Sequence, residues 1–186
     1  MRPIYRNFRH ILVLLLLVFA IHSCKKKEIY PETPQIEFKS AAFVPNQSGI
    51  DSFMILTFTF KDGDGDLGLN QSDTLSPFNA VTDSTGKSIN PYYNNIHFEY
   101  QESFKGVFRY VTNPFNVFDT LSYAYRFDNI SPEGRHKAIR GDIEVKIGPN
   151  QLPNAADTCR YRFYIYDRAL HKSNLAETPS LVWKRR

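Results

Sequence analysis

Segments in which apolar and polar residues alternate recur along most of this chain, and they constrain its fold more than any other feature. In "GDIEVKIG", Ile143, Val145 and Ile147 share one face, and charged residues occupy the other face. A period of two residues is that of a β-strand with one buried and one exposed side. After residue 24, no stretch of ten or more residues shows a convincing helical pattern. The chain is therefore predicted to be all-β.

Eight such segments are separated by loops rich in Pro, Asn, Gly, Asp and Ser. They are residues 36–44, 51–61, 95–101, 106–111, 121–127, 141–148, 159–167 and 177–183. The polar stretch 70–94 is predicted to be an irregular loop. The 15 Phe and 11 Tyr suit a core packed between two sheets, although tyrosines in "NPYYNN" and "SYAYRF" are also typical of a carbohydrate platform. We predict one antiparallel, immunoglobulin-like β-sandwich of seven to eight strands over residues 36–186.

The N-terminus has the pattern of a cleaved export signal. Arg2, Arg6 and Arg9 precede an unbroken apolar run from Ile11 to Ile21. That run is too short to cross a bilayer as a helix, which needs about 20 residues. A basic head followed by a short apolar segment is typical of a signal peptide.

The sequence "IHSC" ends this segment and resembles the lipobox of bacterial lipoproteins, whose cysteine is lipidated and becomes the first mature residue. We predict a signal peptide over residues 1–23, lipidation at Cys24, and a tether over residues 24–35 that links the domain to the membrane. An ordinary signal peptide or an N-terminal anchor helix, with Cys24 incidental, is the alternative interpretation.

Net charge argues against a nucleic-acid partner. The signal peptide contains three of the 23 Lys and Arg residues and none of the 19 acidic residues, so its removal lowers the formal net charge from +4 to +1. A nearly neutral domain lacks the basic surface that nucleic-acid binding requires. We therefore expect no nucleic-acid partner.

Cysteine usage indicates neither a disulfide nor a catalytic thiol. If Cys24 carries lipid, Cys159 has no partner for an intrachain disulfide. Cys159 lies at an alternating strand position, where a small buried apolar side chain is expected. No motif places a histidine beside it.

The stretch "FKDGDGDLGLN" places three carboxylates, those of Asp62, Asp64 and Asp66, at alternate positions of one loop. Calcium takes six to eight oxygen ligands, and glycine lets a backbone wrap closely around an ion. Asp-Gly steps also favour plain tight turns. A plain turn, however, does not need three acids that repel one another by about 1 kcal/mol per pair at 4 Å in water. The loop thus supports two hypotheses, a calcium site or a turn between strands.

The spacing of the loop agrees with an EF-hand only in part. The three aspartates correspond to EF-hand positions 1, 3 and 5, and Asp73 falls at position 12. Leu67 stands where that motif requires glycine, and a strand rather than a helix precedes the loop. We predict a calcium loop of another kind on a β scaffold, with Asp51 as a further candidate. The predicted metal ligands are Asp62, Asp64, Asp66 and Asp73.

Three segments, "FTFKDGDGDLG", "GDIEVKIG" and "FYIYDRALHKSNLAETP", resemble those of small cell-envelope lipoproteins common in Bacteroidota. The resemblance extends from about Ile36 to Trp183, and the DGDGDLG loop and the "DRALHKSN" turn are its most specific parts. It implies an envelope location and an immunoglobulin-like sandwich, and it implies no activity. Many exported relatives carry acidic residues after the lipidated cysteine, whereas three lysines follow it here. We therefore expect anchoring in the outer membrane with the domain facing the periplasm.

These observations predict a lipid-anchored, non-enzymatic module that binds an envelope protein or a glycan, with calcium stiffening the aspartate loop. An accessory subunit of an envelope uptake or secretion complex is the alternative. A glycan-acting hydrolase is less favoured because the acids share one turn, whereas a glycosidase places two carboxylates across a cleft. The chain lacks the G-x-S-x-G, H-E-x-x-H and P-loop motifs. His97, His136 and His171 are isolated in sequence, and we expect them at surface or strand positions.

Overall fold

The fold is seen in a computed structural model, which describes residues 29–84, 86, 88–114, 116–132, 138–150 and 155–185, with the backbone alone for residues 116–118. The predicted signal peptide, Cys24 and His136 lie outside the described residues. Regular structure in the described part is entirely β, and no helix there is long and apolar enough to cross a membrane.

Eleven strands follow one another along the chain. They are β1 (Gln35–Pro45), β2 (Asp51–Asp62), β3 (Ile96–Phe104), β4 (Val107–Tyr110), β5 (Thr112–Asn113), β6 (Asn116–Thr120), β7 (Ser122–Tyr125), β8 (Ile139–Ile147), β9 (Thr158–Ile165), β10 (Ala176–Glu177) and β11 (Leu181–Val182).

The strands form two facing antiparallel sheets and a small hairpin. The first sheet has the order β1-β2-β8, and the second has the order β10-β9-β3-β4, with β11 also paired to β9 and β7 to β3. Strands β5 and β6 form the separate hairpin. The prediction of an all-β antiparallel sandwich is confirmed.

Alternating side chains of the two sheets fill the core between them. Leu56 and Phe58 of β2 face Phe98 of β3 and Phe163 of β9, and all four are fully buried. The rings of Phe58 and Phe163 lie 5.4 Å apart across the interface. Cys159 is buried in the same cluster, which confirms the small apolar role predicted for it. Burial of such side chains contributes about 1.5–3 kcal/mol each and supplies most of the stability of a sandwich.

All eight predicted segments contain strand, but two details differ from the prediction. The sequence does not predict the β5–β6 hairpin, because Pro114 lies at its turn and proline is typical of loops. The last segment is split into β10 and β11, because Thr178 and Pro179 interrupt it. The hydroxyl of Thr178, in place of a backbone carbonyl, accepts the N–H of Tyr161 at 3.1 Å, and proline has no N–H to donate.

The end of the predicted tether packs on the sandwich. Pro34 is buried, and the carbonyl oxygen of Pro31 accepts the N–H of Gly63 at 2.8 Å. A Cβ on Gly63 would lie 2.3 Å from the carbonyl oxygen of Tyr30, so only glycine permits this approach. In the described part of the chain, residues 30–34 therefore contact the domain beside the aspartate loop.

Candidate metal centre

Asp62 occupies a core-facing position at the end of β2. The even-numbered residues Met54, Leu56, Phe58 and Phe60 of this strand all point into the core. Because the side chains of a strand alternate, the next even position, Asp62, points inward as well, and it is 0% exposed. The strand thus carries a carboxylate to the edge of the hydrophobic core.

Asp167 likewise brings a carboxylate to the edge of the hydrophobic core, just beyond the end of β9 in the opposite sheet. Tyr161, Phe163 and Ile165 are buried at odd-numbered positions of β9. Asp167 continues that parity two residues beyond Ile165, and it is 2% exposed. Two facing strands therefore each end in an inward-pointing aspartate at the same end of the sandwich.

The loop that follows β2 adds its own carboxylates to this pair. Carboxylate oxygens of Asp62, Asp66 and Asp167 all lie within 4.8 Å of one another. The Asp66 N–H donates to Oδ2 of Asp62 at 3.0 Å, which folds the loop back over the strand end. The Asp66 carbonyl accepts the N–H of Arg168 at 3.0 Å, which attaches the loop to the opposite sheet.

One carboxylate oxygen each of Asp62, Asp64 and Asp66 has no hydrogen-bond partner among the described residues. The Oδ1 atoms of these three residues are buried and accept no hydrogen bond from any described residue. A buried carboxylate oxygen without a donor is costly, because water is removed from it and nothing replaces the lost hydrogen bonds. Three such oxygens in one loop indicate that a cation, or protons, must compensate them.

The pKa values of these acids reflect the same crowding. Burial, followed by the charges of Asp64 and Asp66, raises the pKa of Asp62 to about 7. Burial is the main cause that raises the pKa of Asp167 to about 6, and it also raises the pKa of Asp66. The carboxylate of Asp167 raises the pKa of His171, whose Nδ1 lies 2.9 Å from its Oδ2.

Two glycines shape the loop around the acids. Gly65 and Gly68 have φ values of 65° and 89°, which glycine adopts without the steric penalty of other residues. A Cβ on Gly68 would lie 2.1 Å from the carbonyl oxygen of Asp128. The neighbours of Gly68 pair with the same segment, since Leu69 donates to the carbonyl of Phe127 at 3.1 Å. The loop is thus fixed on both sides and presents its carboxylates to one region.

Three aspartates named from the sequence do not join the group of Asp62, Asp66 and Asp167. Asp64 lies in the same loop and its Oδ1 has no hydrogen-bond partner among the described residues, but its oxygens are not part of that group. Oδ2 of Asp73 lies 2.5 Å from the Arg168 guanidinium and accepts the Asn70 N–H at 2.7 Å, so Asp73 forms an ion pair where the EF-hand spacing predicted a ligand. Asp51 stands at the opposite end of β2, about 35 Å along the strand from Asp62. Its Oδ2 accepts the N–H of Lys184 at 2.6 Å.

Asp167 and His171 are the members that sequence reasoning missed. The signal was present in "CRYRFYIYD", because Asp167 continues the buried face of Cys159, Tyr161, Phe163 and Ile165. The predicted strand over residues 159–167 places Asp167 at its end and assigns it no role as a ligand. His171 lies at an exposed position, as the sequence predicts, and its ring Nδ1 also contacts Asp167.

The donors in this group suit a hard cation. They are carboxylate oxygens, and two oxygens that bind one calcium at 2.3–2.6 Å are at most about 5 Å apart. Among the described residues no thiol lies near this group to favour a soft transition metal, because the buried Cys159 belongs to the other end of β9. If a cation is held here, calcium fits the ligand chemistry best.

The fold and this group define an all-β sandwich with a carboxylate-rich candidate cation site at one end. No protein-family model, curated protein or solved structure matches the chain.

Proposed function

We propose that this protein is a lipid-anchored module of the bacterial cell envelope, without enzymatic activity, whose β-sandwich binds a partner and is stabilised by calcium at the aspartate loop. The observation that carries the proposal is the set of buried, unpartnered carboxylate oxygens on Asp62, Asp64 and Asp66. Extracellular β modules commonly use weak calcium sites, in which dissociation constants of about 10⁻⁴ to 10⁻³ M suffice.

The path of the chain into the domain supports anchoring through Cys24. The segment from Tyr30 to Pro34 reaches the sandwich beside Gly63, between the first two aspartates of the loop. A lipid on Cys24 would lie only a few residues before the segment that packs beside the cation site, so that site would become the membrane-proximal end of the domain. In line with the lipobox and the three lysines, the proposed location is the outer membrane, with the domain facing the periplasm.

The geometry of the acids argues against a hydrolase. A glycosidase holds two carboxylates about 5 to 9.5 Å apart on either side of an open cleft. Here the oxygens of Asp62, Asp66 and Asp167 lie within 4.8 Å of one another, and Asp62 and Asp167 are almost completely buried. A sugar ring does not fit between such groups, whereas a single ion does.

The sheet edges favour a protein as the partner over a glycan. Among the described residues, β8 pairs with β2 alone, so the second edge of this nine-residue strand is open for strand addition. From the sequence, Tyr123 and Tyr125 could belong to a carbohydrate-binding platform, but in the structure both pack against the core. A partner protein is also what an accessory subunit of an uptake or secretion complex would need, and that role remains the alternative.

Two experiments test the proposal on the full chain. Thermal unfolding in detergent, first in EDTA and then in millimolar calcium, should show a rise in Tm with calcium, because binding to the folded state alone stabilises it. A variant with Asp64→Asn and Asp66→Asn should lose that rise. If calcium leaves the wild-type Tm unchanged, the aspartate loop is a turn and the calcium part of the proposal is wrong.

The anchor is tested separately by fractionation. Expressed in a bacterial host, the wild-type chain should partition into the detergent phase and incorporate labelled fatty acid, and Cys24→Ala should do neither. A Cys24→Ala protein that stays in the detergent phase would indicate an uncleaved anchor helix.

A further inference from the structure

We propose that Asp167 is a carboxylate ligand of this cation site beside Asp62 and Asp66, so that one calcium ion clamps the two sheets of the sandwich together. The inference rests on the proposed calcium binding and extends it, because the sequence places every candidate ligand on the β2 side. Asp167 follows β9 in the opposite sheet.

The position of Asp167 is fixed by a tight turn. Its Oδ1 accepts the backbone N–H of His171 at 2.7 Å, and its Oδ2 lies 2.9 Å from Nδ1 of the same residue. The backbone closes the turn, since Asp167 donates its N–H to the His171 carbonyl at 3.2 Å. Each carboxylate oxygen keeps a further lone pair for a metal ion, because these contacts use one on each. The ligand is therefore preorganised.

An independent observation points to a ligand at this place. Asp62 is 0% exposed, and its Oδ1 has no hydrogen-bond partner among the described residues, although its Oδ2 accepts the Asp66 N–H. One carboxylate oxygen of each of Asp62, Asp66 and Asp167 lies within 4.8 Å of the others. A buried carboxylate that has an unpartnered oxygen and lies beside two further carboxylates is explained by a positive ion between them.

The charge of the group identifies the class of ion. Carboxylates of Asp62, Asp66 and Asp167 meet within 4.8 Å, and that of Asp64 belongs to the same loop. A divalent cation offsets more of the repulsion among such groups than a monovalent ion does. Oxygen-only ligation by several carboxylates is the chemistry of calcium.

An ion shared in this way would also hold the two sheets together mechanically. The loop after β2 already contacts the opposite sheet through the bond between the Asp66 carbonyl and the Arg168 N–H. A shared ion would add strong, short contacts at the same end of the sandwich, beside the docked segment at Pro31. Calcium would then join the two sheets at the end where the anchor enters.

The test compares calcium affinity in three full-length proteins in detergent: the wild type, Asp167→Asn and Asp73→Asn. Isothermal titration with calcium chloride should give a dissociation constant at least tenfold higher for Asp167→Asn than for the wild type. Asp73→Asn should bind within twofold of the wild type, because its carboxylate is paired with Arg168. Tm measured in EDTA separates a ligand from a merely structural residue.

In EDTA, Asp167→Asn should be as stable as the wild type or more stable, because asparagine keeps an oxygen for the His171 N–H and removes one of the crowded charges. A lower Tm in EDTA together with wild-type calcium affinity would make Asp167 a turn-capping residue and overturn the inference alone. Wild-type protein that takes up no calcium would overturn both this inference and the calcium part of the proposed function.

Discussion

Replacing Asp62 by asparagine should stabilise the metal-free protein, although it changes a fully buried side chain. In EDTA at pH 8 the wild type must ionise Asp62, whose pKa is raised from 3.8 to about 7 by burial and by Asp64 and Asp66. That difference corresponds to about 4 kcal/mol, since each pH unit is worth 1.36 kcal/mol. Because the buried acids interact, we expect Asp62→Asn to raise the free energy of unfolding by about half of this difference, about 2 kcal/mol.

The predicted pH dependence has a definite sign. A folded-state pKa above the unfolded value means that the folded protein binds the proton more tightly. Its contribution to stability is therefore fully present below pH 3.8 and is lost as the pH rises towards 7. The metal-free wild type should lose stability between pH 4 and pH 7 through this group, whereas Asp62→Asn should not. The gain in stability of Asp62→Asn over the wild type should be small at pH 4.5 and reach its full value at pH 8.

Thermal unfolding in EDTA at these two pH values measures the effect. For a domain of this size 1 kcal/mol shifts Tm by roughly 2–4 °C, so Asp62→Asn should unfold about 4–8 °C higher than the wild type at pH 8. Asp73→Asn is the matched control with the opposite sign, because Arg168 lowers the pKa of Asp73 and the variant loses that ion pair. The reasoning would be refuted if Asp62→Asn were less stable than the wild type at pH 8. It would also be refuted if the difference in Tm between the two proteins were the same at both pH values.

Three further outcomes are expected. Gly68→Ala should lower Tm by about 6 °C or more, because alanine meets both a positive φ and a backbone atom at 2.1 Å, whereas Gly148→Ala, with no atom within 4 Å of its Cβ, should leave Tm within about 2 °C. Gly63→Ala should displace the carbonyl of Pro31, and hydrogen exchange should then be faster in residues 30–34 than in the wild type. Cys159 should stay unmodified by a thiol reagent under native conditions and react on unfolding, since burial raises its pKa to about 11; rapid native labelling would contradict its placement in the core.

Much of the fold followed from local pattern. The eight alternating segments all contain strand because a period of two residues can bury one face only in a sheet. The β5–β6 hairpin did not follow, since Pro114 carries a loop signal and only pairing with a neighbour makes its flanks strands. The split between β10 and β11 depends on the hydroxyl of Thr178 accepting a hydrogen bond from β9, which no local pattern reports.

Part of the candidate site could be predicted as well. The aspartate loop was visible in the sequence because Asp62, Asp64 and Asp66 are neighbours in one turn. The EF-hand spacing predicted Asp73 as a ligand, whereas the structure pairs Asp73 with Arg168, a residue 95 positions away that sequence spacing cannot indicate.

The sequence by itself determined that the chain forms alternating strands and that three acids share one loop, and it predicts a signal peptide over residues 1–23 before Cys24. Only the tertiary structure decided which acids meet. Asp62 and Asp167 end strands of different sheets, and they come together because both continue the inward-facing parity of their strands at the same end of the sandwich. Strand parity is local, but the facing of two sheets is set by burial of the whole core between them.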